Sequence, residues 1–184
     1  MTGINGRRKG KTGEREVSRI IEAWWQPFEK DCKFKSTPLS GGWSSPDVRG
    51  HFKTAGDLVT TARKFPFTIE VKRREGWNLN NLINGKRSPV WGWWLQCQRA
   101  ADEETREPMM WFRKSREPVW RVMVRLDFHT ALVAALPDGM GGYTWTSNPR
   151  PMPEHGAMPV LMFADKLLAV PPRVIVKVGA TLKR

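Results

Sequence analysis

The sequence predicts an α/β domain, a central mixed sheet flanked by helices, with elements in the order helix, strand, strand, strand, helix, strand. Three observations predict it. A helical apolar period runs from Gly13 to about Phe28. A period-two run, Phe67 to Lys72, follows Leu58–Thr61 at hairpin distance. A second helical stripe, Val90 to about Arg106, separates these strands from a later strand pair.

In the first helix Val17, Ile20, Ile21, Trp24 and Phe28 recur at amphipathic spacing; Thr12 is a candidate cap and Pro27 helps to end the run. At about 100° per residue, Glu14 lies roughly 65° from the centre of the stripe and Glu16 roughly 95°. Glu14 therefore faces inward more than Glu16. Both acids suit the first turn of a helix, where the macrodipole favours them, yet an inward carboxylate also needs a partner or a cation. Ahead of the helix, residues 1–11 form a basic arm with Arg7, Arg8, Lys9 and Lys11, expected to order on phosphate.

Cys32–Ser36 reads as the first strand, and residues 37–46 as a Gly-, Ser- and Pro-rich loop. Trp43 in that loop is either a base-stacking group or part of an exposed linker. In the hairpin, Phe67, Ile69 and Val71 share one face, while Thr68, Glu70 and Lys72 share the other. An acid and an amine thus stand side by side, with Asp57 at the mouth of the partner strand. Such a group can hold a metal and a nucleophilic water.

Beyond Arg73 and Arg74 comes an Asn-rich stretch to Arg87, then a helix started by Ser88 and Pro89. Its Trp91, Trp93 and Trp94 serve a core or a stacking platform; Gln96 and Gln98 flank the stripe, within reach of a phosphate or simply at the surface. Residues 108–114 and 119–126 read as an antiparallel pair, and Asp127 as the cap of a helix to Ala135. The tail offers only Val160–Phe163 and Val174–Val178, read as peripheral strands. The expected organisation is a basic arm (1–11), a core (12–136) and a peripheral extension (137–184).

Thirty-one Lys and Arg against 18 Asp and Glu leave a charge of +13, the footprint of a polyanion binder, so nucleic acid is the expected partner. Two cysteines are too few for a disulfide framework, and no apolar run is long enough for a membrane span or signal peptide. A cytoplasmic protein is expected. Three unpaired His and a lone Tyr143 argue against histidine-metal and covalent-tyrosine nuclease chemistry. A non-catalytic basic nucleic-acid binder remains the competing class, distinguished by its indifference to metal.

The order of elements, with Glu14 on the first helix, Asp57 opening the second strand and Glu70-Val71-Lys72 on the third, resembles the PD-(D/E)XK nucleases. Within them it is most similar to archaeal-type Holliday-junction resolvases and their phage-encoded relatives. The segment Lys9-Gly10-Lys11-Thr12-Gly13-Glu14-Arg15-Glu16 is similar to that family's basic opening and Glu-Arg-Glu, and Asp57 precedes Glu70 by the family interval (70 − 57 = 13).

The resemblance implies a restriction-endonuclease-like αβββαβ core and Mg²⁺- or Mn²⁺-dependent hydrolysis of DNA to a 5′-phosphate and a 3′-hydroxyl. It also implies a homodimer acting on branched DNA, in a host cytoplasm if phage-encoded. Metal ligands would be Asp57, Glu70, the carbonyl of Val71 and Glu14, directly or through water. Lys72 would act on the attacking water, with Gln96 a further candidate. Nucleic-acid contacts would come from the basic arm, Arg15, Lys35, Trp43, Arg73 and Arg74. Pro46-Asp47 offers an alternative aspartate, and the sequence alone does not exclude flaps, single strands or a sequence site as substrate.

Overall fold

The computed structural model describes residues 3–37, 56–136 and 156–182, with side chains from Gly10 onward in the first segment. Six strands form one sheet in sequence order: β1 (Phe34–Ser36), β2 (Leu58–Thr60), β3 (Phe67–Arg73), β4 (Glu107–Arg113), β5 (Arg121–Arg125) and β6 (Pro159–Phe163). All neighbours pair antiparallel except β3 and β4, which run parallel with Phe67 opposite Glu107 and Arg73 opposite Arg113. A parallel pair needs a crossover. Helices α2 (Leu79–Ile83) and α3 (Pro89–Glu103) supply it.

The sheet is buried on both faces, which is why its strands read as near-continuous apolar runs. One face carries Phe67, Ile69, Val71, Met109, Trp111, Val122, Val124 and Val160. It packs against α1 (Gly3–Trp25) through Val17, Ile21 and Trp25, and against α4 (Leu126–Ala135) through Phe128 and Leu132. The other face carries Met110, Phe112, Met123 and Leu161 under Trp91, Trp94 and Cys97 of α3. The tryptophans of this helix are therefore core, and its apolar stripe is buried within the chain. Both cysteines are free and buried.

Several expectations change. Helix α1 begins at Gly3, so Thr12 lies inside it rather than capping it, and the segment read as an arm forms its first turns. The Asn-rich stretch holds α2, whose cap is Asn78: its side chain accepts from the backbone of Asn80 and Asn81. Asp127 sits in the first turn of α4 and accepts from Phe128 N at 2.8 Å, while Arg125 occupies the cap position.

Val160–Phe163 is a strand as read, but Val174–Val178 is helical, within α6 (Pro172–Thr181), which follows the short α5 (Ala164–Leu168). Pro172 in the first turn presets the helical φ, and burying Ile175 and Val178 on one face outweighs the β propensity of the valines. Leu167, Val170, Ile175 and Val178 join the same core as α1, and a Cβ on Gly179 would lie 2.8 Å from Pro66 Cβ. The described part of the tail is thus built into the domain. No helix among the described residues is long and apolar enough to cross a membrane.

Trp43 and Asp47, the side chains of Arg7, Arg8 and Lys9, and Tyr143 lie outside the described residues.

Ile175 is fully buried. Ile175→Ala is expected to cost about 2–5 kcal/mol in a denaturant melt. A loss under about 0.5 kcal/mol, typical of surface positions, would contradict the integral packing of α6.

Candidate active site

The site forms where β1 ends, β2 begins and β3 ends, because antiparallel pairing brings these three termini to one end of the sheet. Gly56 makes the approach possible. Its φ is +84°, and a Cβ there would stand 2.4 Å from the Ile69 carbonyl oxygen. Asp57 N donates to that same oxygen at 2.8 Å although Leu58 is the residue paired with Ile69. The strand thus leaves regular pairing at the acid. In place of a backbone carbonyl, the Asp57 carboxylate Oδ2 accepts from Val71 N at 2.8 Å. The N–H and C=O of one strand residue point the same way, so the Val71 carbonyl also faces the Asp57 side of β3.

Glu70 and Lys72 project from the opposite face of β3 to the Phe67, Ile69, Val71 row and form an ion pair. Glu70 is 2% exposed. Burial first, and then the charge and hydrogen bonding of Asp57, push its carboxyl up to about 7 against the pull of Lys72. Two carboxylates this close are under-neutralised when both are ionised. Cys97 of α3 lies beneath them: burial, then Glu70, raise its thiol well above the ordinary range, and its Sγ contacts Thr68 O at 4.0 Å. It stays a neutral thiol there.

Glu14 reaches the site from α1. Three residues at helical i, i+4 spacing fasten that helix to the outer edge of β1. Glu22 accepts from Phe34 N at 2.9 Å, Ser18 donates to Phe34 O at 2.6 Å, and Ser36 Oγ donates to Glu14 at 2.5 Å. The row covers an edge strand that would otherwise expose its backbone groups, and its last member is the candidate ligand. Burial raises the Glu14 carboxyl; Ser36 lowers it, Asp57 raises it, and Lys11 and Lys72 lower it. Glu14 is therefore within electrostatic reach of both Asp57 and Lys72.

Glu16 has a different task. It accepts from Arg113 at 2.6 Å and from Trp120 Nε1 at 3.1 Å, while the Arg113 guanidinium lies 4.4 Å from the Trp120 ring centroid. Gly13 lets α1 come close here, since a Cβ would be 3.1 Å from Arg73 Cβ. This clamp holds the helix across the ends of β3 and β4, and so fixes where Glu14 points.

Beside Glu14 a groove of about 450 Å³ runs between α1 and β1, where four cations, Lys11, Arg15, Arg19 and Lys35, outnumber the one acid, Glu22, and Ser18, Phe34, Ser36 and Thr37 complete the lining. Lys11, Arg15 and Arg19 repeat at i, i+4, i+8, a row of cations about 6 Å apart. Arg19 and Ser36 were not singled out from the sequence; the i+4 repeat from Lys11 was the available signal for Arg19. Two candidates make no hydrogen bond to the site's acids. Gln96 is exposed on α3 and hydrogen-bonds to no described residue, whereas Gln98 is buried and accepts from Ala157 N at 2.9 Å. Arg73 donates to Ser115 O at 2.9 Å, tying β3 to the β4–β5 turn.

Among the described residues no three acids, histidines or cysteines are gathered into a ready metal cage. Each acid instead holds a local partner: Val71 N for Asp57, Lys72 for Glu70, Ser36 for Glu14. The donor set still fits a hard divalent cation. It is all oxygen, and the mutual repulsion that lifts Glu70 is what such a cation relieves.

A helix, three strands, a crossover helix and a fourth strand, with an acid at the mouth of the second strand and Glu-x-Lys on the third, is the core of a PD-(D/E)XK nuclease. The family model of "Phage putative PDDEXK endonuclease" matches residues 5–151, and the chain belongs to this family. It is also 28% identical over 119 residues to "Protein D14" of Escherichia phage T5, covering 61% of this chain and 67% of the relative. No solved structure matches it.

The clamp on α1 can be tested separately from chemistry. Arg113→Met takes the cation from Glu16 and from the Trp120 ring, leaving only the indole bond to the acid, and is expected to cost about 1–3 kcal/mol in a denaturant melt, the solvent access of Glu16 keeping the loss below that of a fully buried pair. A melt unchanged within about 0.5 kcal/mol would show that the clamp does not hold the helix.

Proposed function

We propose that this chain is a metal-dependent DNA endonuclease whose working residues are Asp57, Glu70, Lys72 and Glu14. The observation that carries this reading is the placement of two mutually repelling carboxylates, Asp57 and Glu70, beside a lysine at one strand end and next to a cationic groove. A structural role alone does not account for it, because a core gains nothing from burying the Glu70 carboxyl against the half-buried Asp57 without full neutralisation.

Asp57, Glu70 and the Val71 carbonyl would hold Mg²⁺ or Mn²⁺, with Glu14 adding a ligand directly or through water. When bound, such an ion supplies a water of lowered pKa and positive charge for the phosphoryl oxygens. The chain's own residues do the rest. Lys72, held on the Glu70 side of β3, donates to the attacking water and to the charge that grows on phosphate. Lys11, Arg15, Arg19 and Lys35 hold the scissile strand along the α1–β1 groove and set its phosphate at Glu14 and Asp57. Ser36 keeps the Glu14 carboxylate turned into the site. Gln96, exposed on α3, has no part in this scheme.

As substrate we propose branched DNA, the four-way junction above all, cut by a homodimer. A junction presents two symmetry-related strands, and a chain that carries one Asp57–Glu70 site meets both only through a two-fold axis. The resemblance of the Lys9–Glu16 and Asp57–Lys72 segments to junction resolvases supports this choice.

Asp57→Asn, Glu70→Gln and Lys72→Met are each expected to lower cleavage by at least about a hundredfold while DNA binding persists, since one group stabilising the transition state is worth roughly that factor or more. EDTA should stop the wild type, and Asp47→Asn should retain activity. Activity that survives EDTA, or loss in Asp47→Asn with retention in Asp57→Asn, would overturn the assignment. Run on a junction, a flap and a duplex of shared sequence, with mass from light scattering, the same assay tests the substrate. A monomer that cuts all three alike keeps the nuclease and loses the resolvase.

A further inference from the structure

The acid cluster has cations on two sides. Along the end of the sheet that carries it, the order is Lys35 and Ser36 on β1, Asp57 before β2, Glu70 and Lys72 on β3, and then the exit of β4. Because β3 and β4 are parallel and in register to Arg73 opposite Arg113, both chains leave the sheet side by side. Arg74 follows one exit; Lys114 and Arg116 follow the other. Backbone and side-chain bonds lock the two exits together: Arg74 N donates to Arg113 O at 3.1 Å, and Ser115 N to Glu75 at 2.8 Å.

Trp77 fastens this region to the core. Its Nε1 donates to Arg74 O at 2.9 Å, its ring packs edge-on against Phe112, and Lys114 Nζ lies 5.4 Å from the ring centroid. The crossover then returns over the same end, where Lys86 and Arg87 precede α3 and Val90 joins the cluster that holds Trp77 and Phe112. Arg74, Lys86, Arg87 and Arg116 are all exposed, and none forms an ion pair among the described residues. By contrast Arg106, Arg113, Arg121 and Arg125 are each paired with an acid. The nearby Glu117 is held by Arg121.

We infer that this ledge is a second phosphate-binding surface, which takes the backbone of the complementary strand while the α1–β1 groove takes the strand being cut. The inference rests on the nuclease reading and gives its substrate a required feature: duplex at the site of cleavage. From β1 to β4 is three strand spacings, about 14 Å, against a major groove about 12 Å wide. A lone strand lying in the groove beside Glu14 would not reach the ledge. Two backbones of one duplex would touch both.

The ledge variant Arg74→Gln/Lys86→Gln/Arg87→Gln/Arg116→Gln removes four charges without touching the acids or the groove. Its control, Lys30→Gln/Arg63→Gln/Arg173→Gln/Lys177→Gln, removes four exposed charges elsewhere on the chain, outside both surfaces. Binding to a fluorescent duplex and to a single strand of the same sequence is measured by anisotropy in Ca²⁺ across a salt series, and wild-type cleavage in Mg²⁺ is run alongside.

The ledge variant is expected to bind duplex at least about tenfold more weakly than wild type, with its log–log salt slope shallower by up to about 3.6, near 0.9 for each of the four lost phosphate contacts. Its single-strand affinity should change by less than about twofold, and the control should keep both affinities. Arg74→Gln and Arg116→Gln singly should move duplex binding the same way, which keeps the result readable if the fourfold variant misfolds. Equal duplex affinity for ledge variant and control, or parallel loss on duplex and single strand, overturns the ledge and leaves the nuclease reading intact if wild type cuts. A wild type that neither binds nor cuts DNA overturns both.

Discussion

The arrangement depends on one close approach, that of the Asp57 segment to the backbone of β3 at Ile69. Only a glycine fits ahead of it, since Gly56 combines a φ of +84° with a carbonyl oxygen 2.4 Å from where a Cβ would be. The consequence is chemical. Half-buried, Asp57 turns its carboxylate onto Val71 N and meets the buried Glu70 carboxyl, where charge repulsion is less screened than in water. A fold that buries this conflict has to place cations round it. Lys72 does so within the chain, and the proposed divalent ion would complete the neutralisation.

The rest of the architecture serves to hold that point still. The sheet is packed on both faces, so β3 is fixed between α1 and α3, and a small thiol rather than a larger group lies under Glu70. Helix α1 is secured twice, by the Glu14, Ser18, Glu22 row along β1 and by the Glu16 clamp to Arg113 and Trp120. Two adjacent acids of one helix thereby divide the work: Glu16 anchors, and Glu14 is delivered to the site. The positive charge divides likewise, with paired arginines knitting strands together and cations that form no ion pair among the described residues standing on either flank of the acids.

Much of this was legible in the sequence because it is local. Strand alternation put Glu70 and Lys72 on one face, helical periodicity ranked Glu14 ahead of Glu16 as the inward acid, and Asp57 stood at the mouth of the strand that pairs with β3. What was not legible depends on tertiary partners. The valines of α6 read as a strand until Pro172 and the core contacts of Ile175 and Val178 are weighed. The Trp-rich helix offered a core or a stacking platform, and the sheet face beneath it decided for core. The bond from Arg73 to Ser115 O, which ties β3 to the β4–β5 turn, had no local signal. The helical start at Gly3 had no signal in a glycine-containing, basic segment.

The central claim is that the Asp57–Glu70 conflict exists for a divalent cation. The most direct measurement is the thermal midpoint of the wild type and of Asp57→Asn, each in EDTA and in millimolar Mn²⁺ without DNA. The account predicts that Mn²⁺ raises the wild-type midpoint by several degrees, since a ligand that binds only the native state stabilises it. Asp57→Asn should melt at or above the wild type in EDTA, because its repulsion is gone, and should gain little from Mn²⁺. A wild type indifferent to Mn²⁺, or an Asp57→Asn protein that gains as much as the wild type, would contradict it.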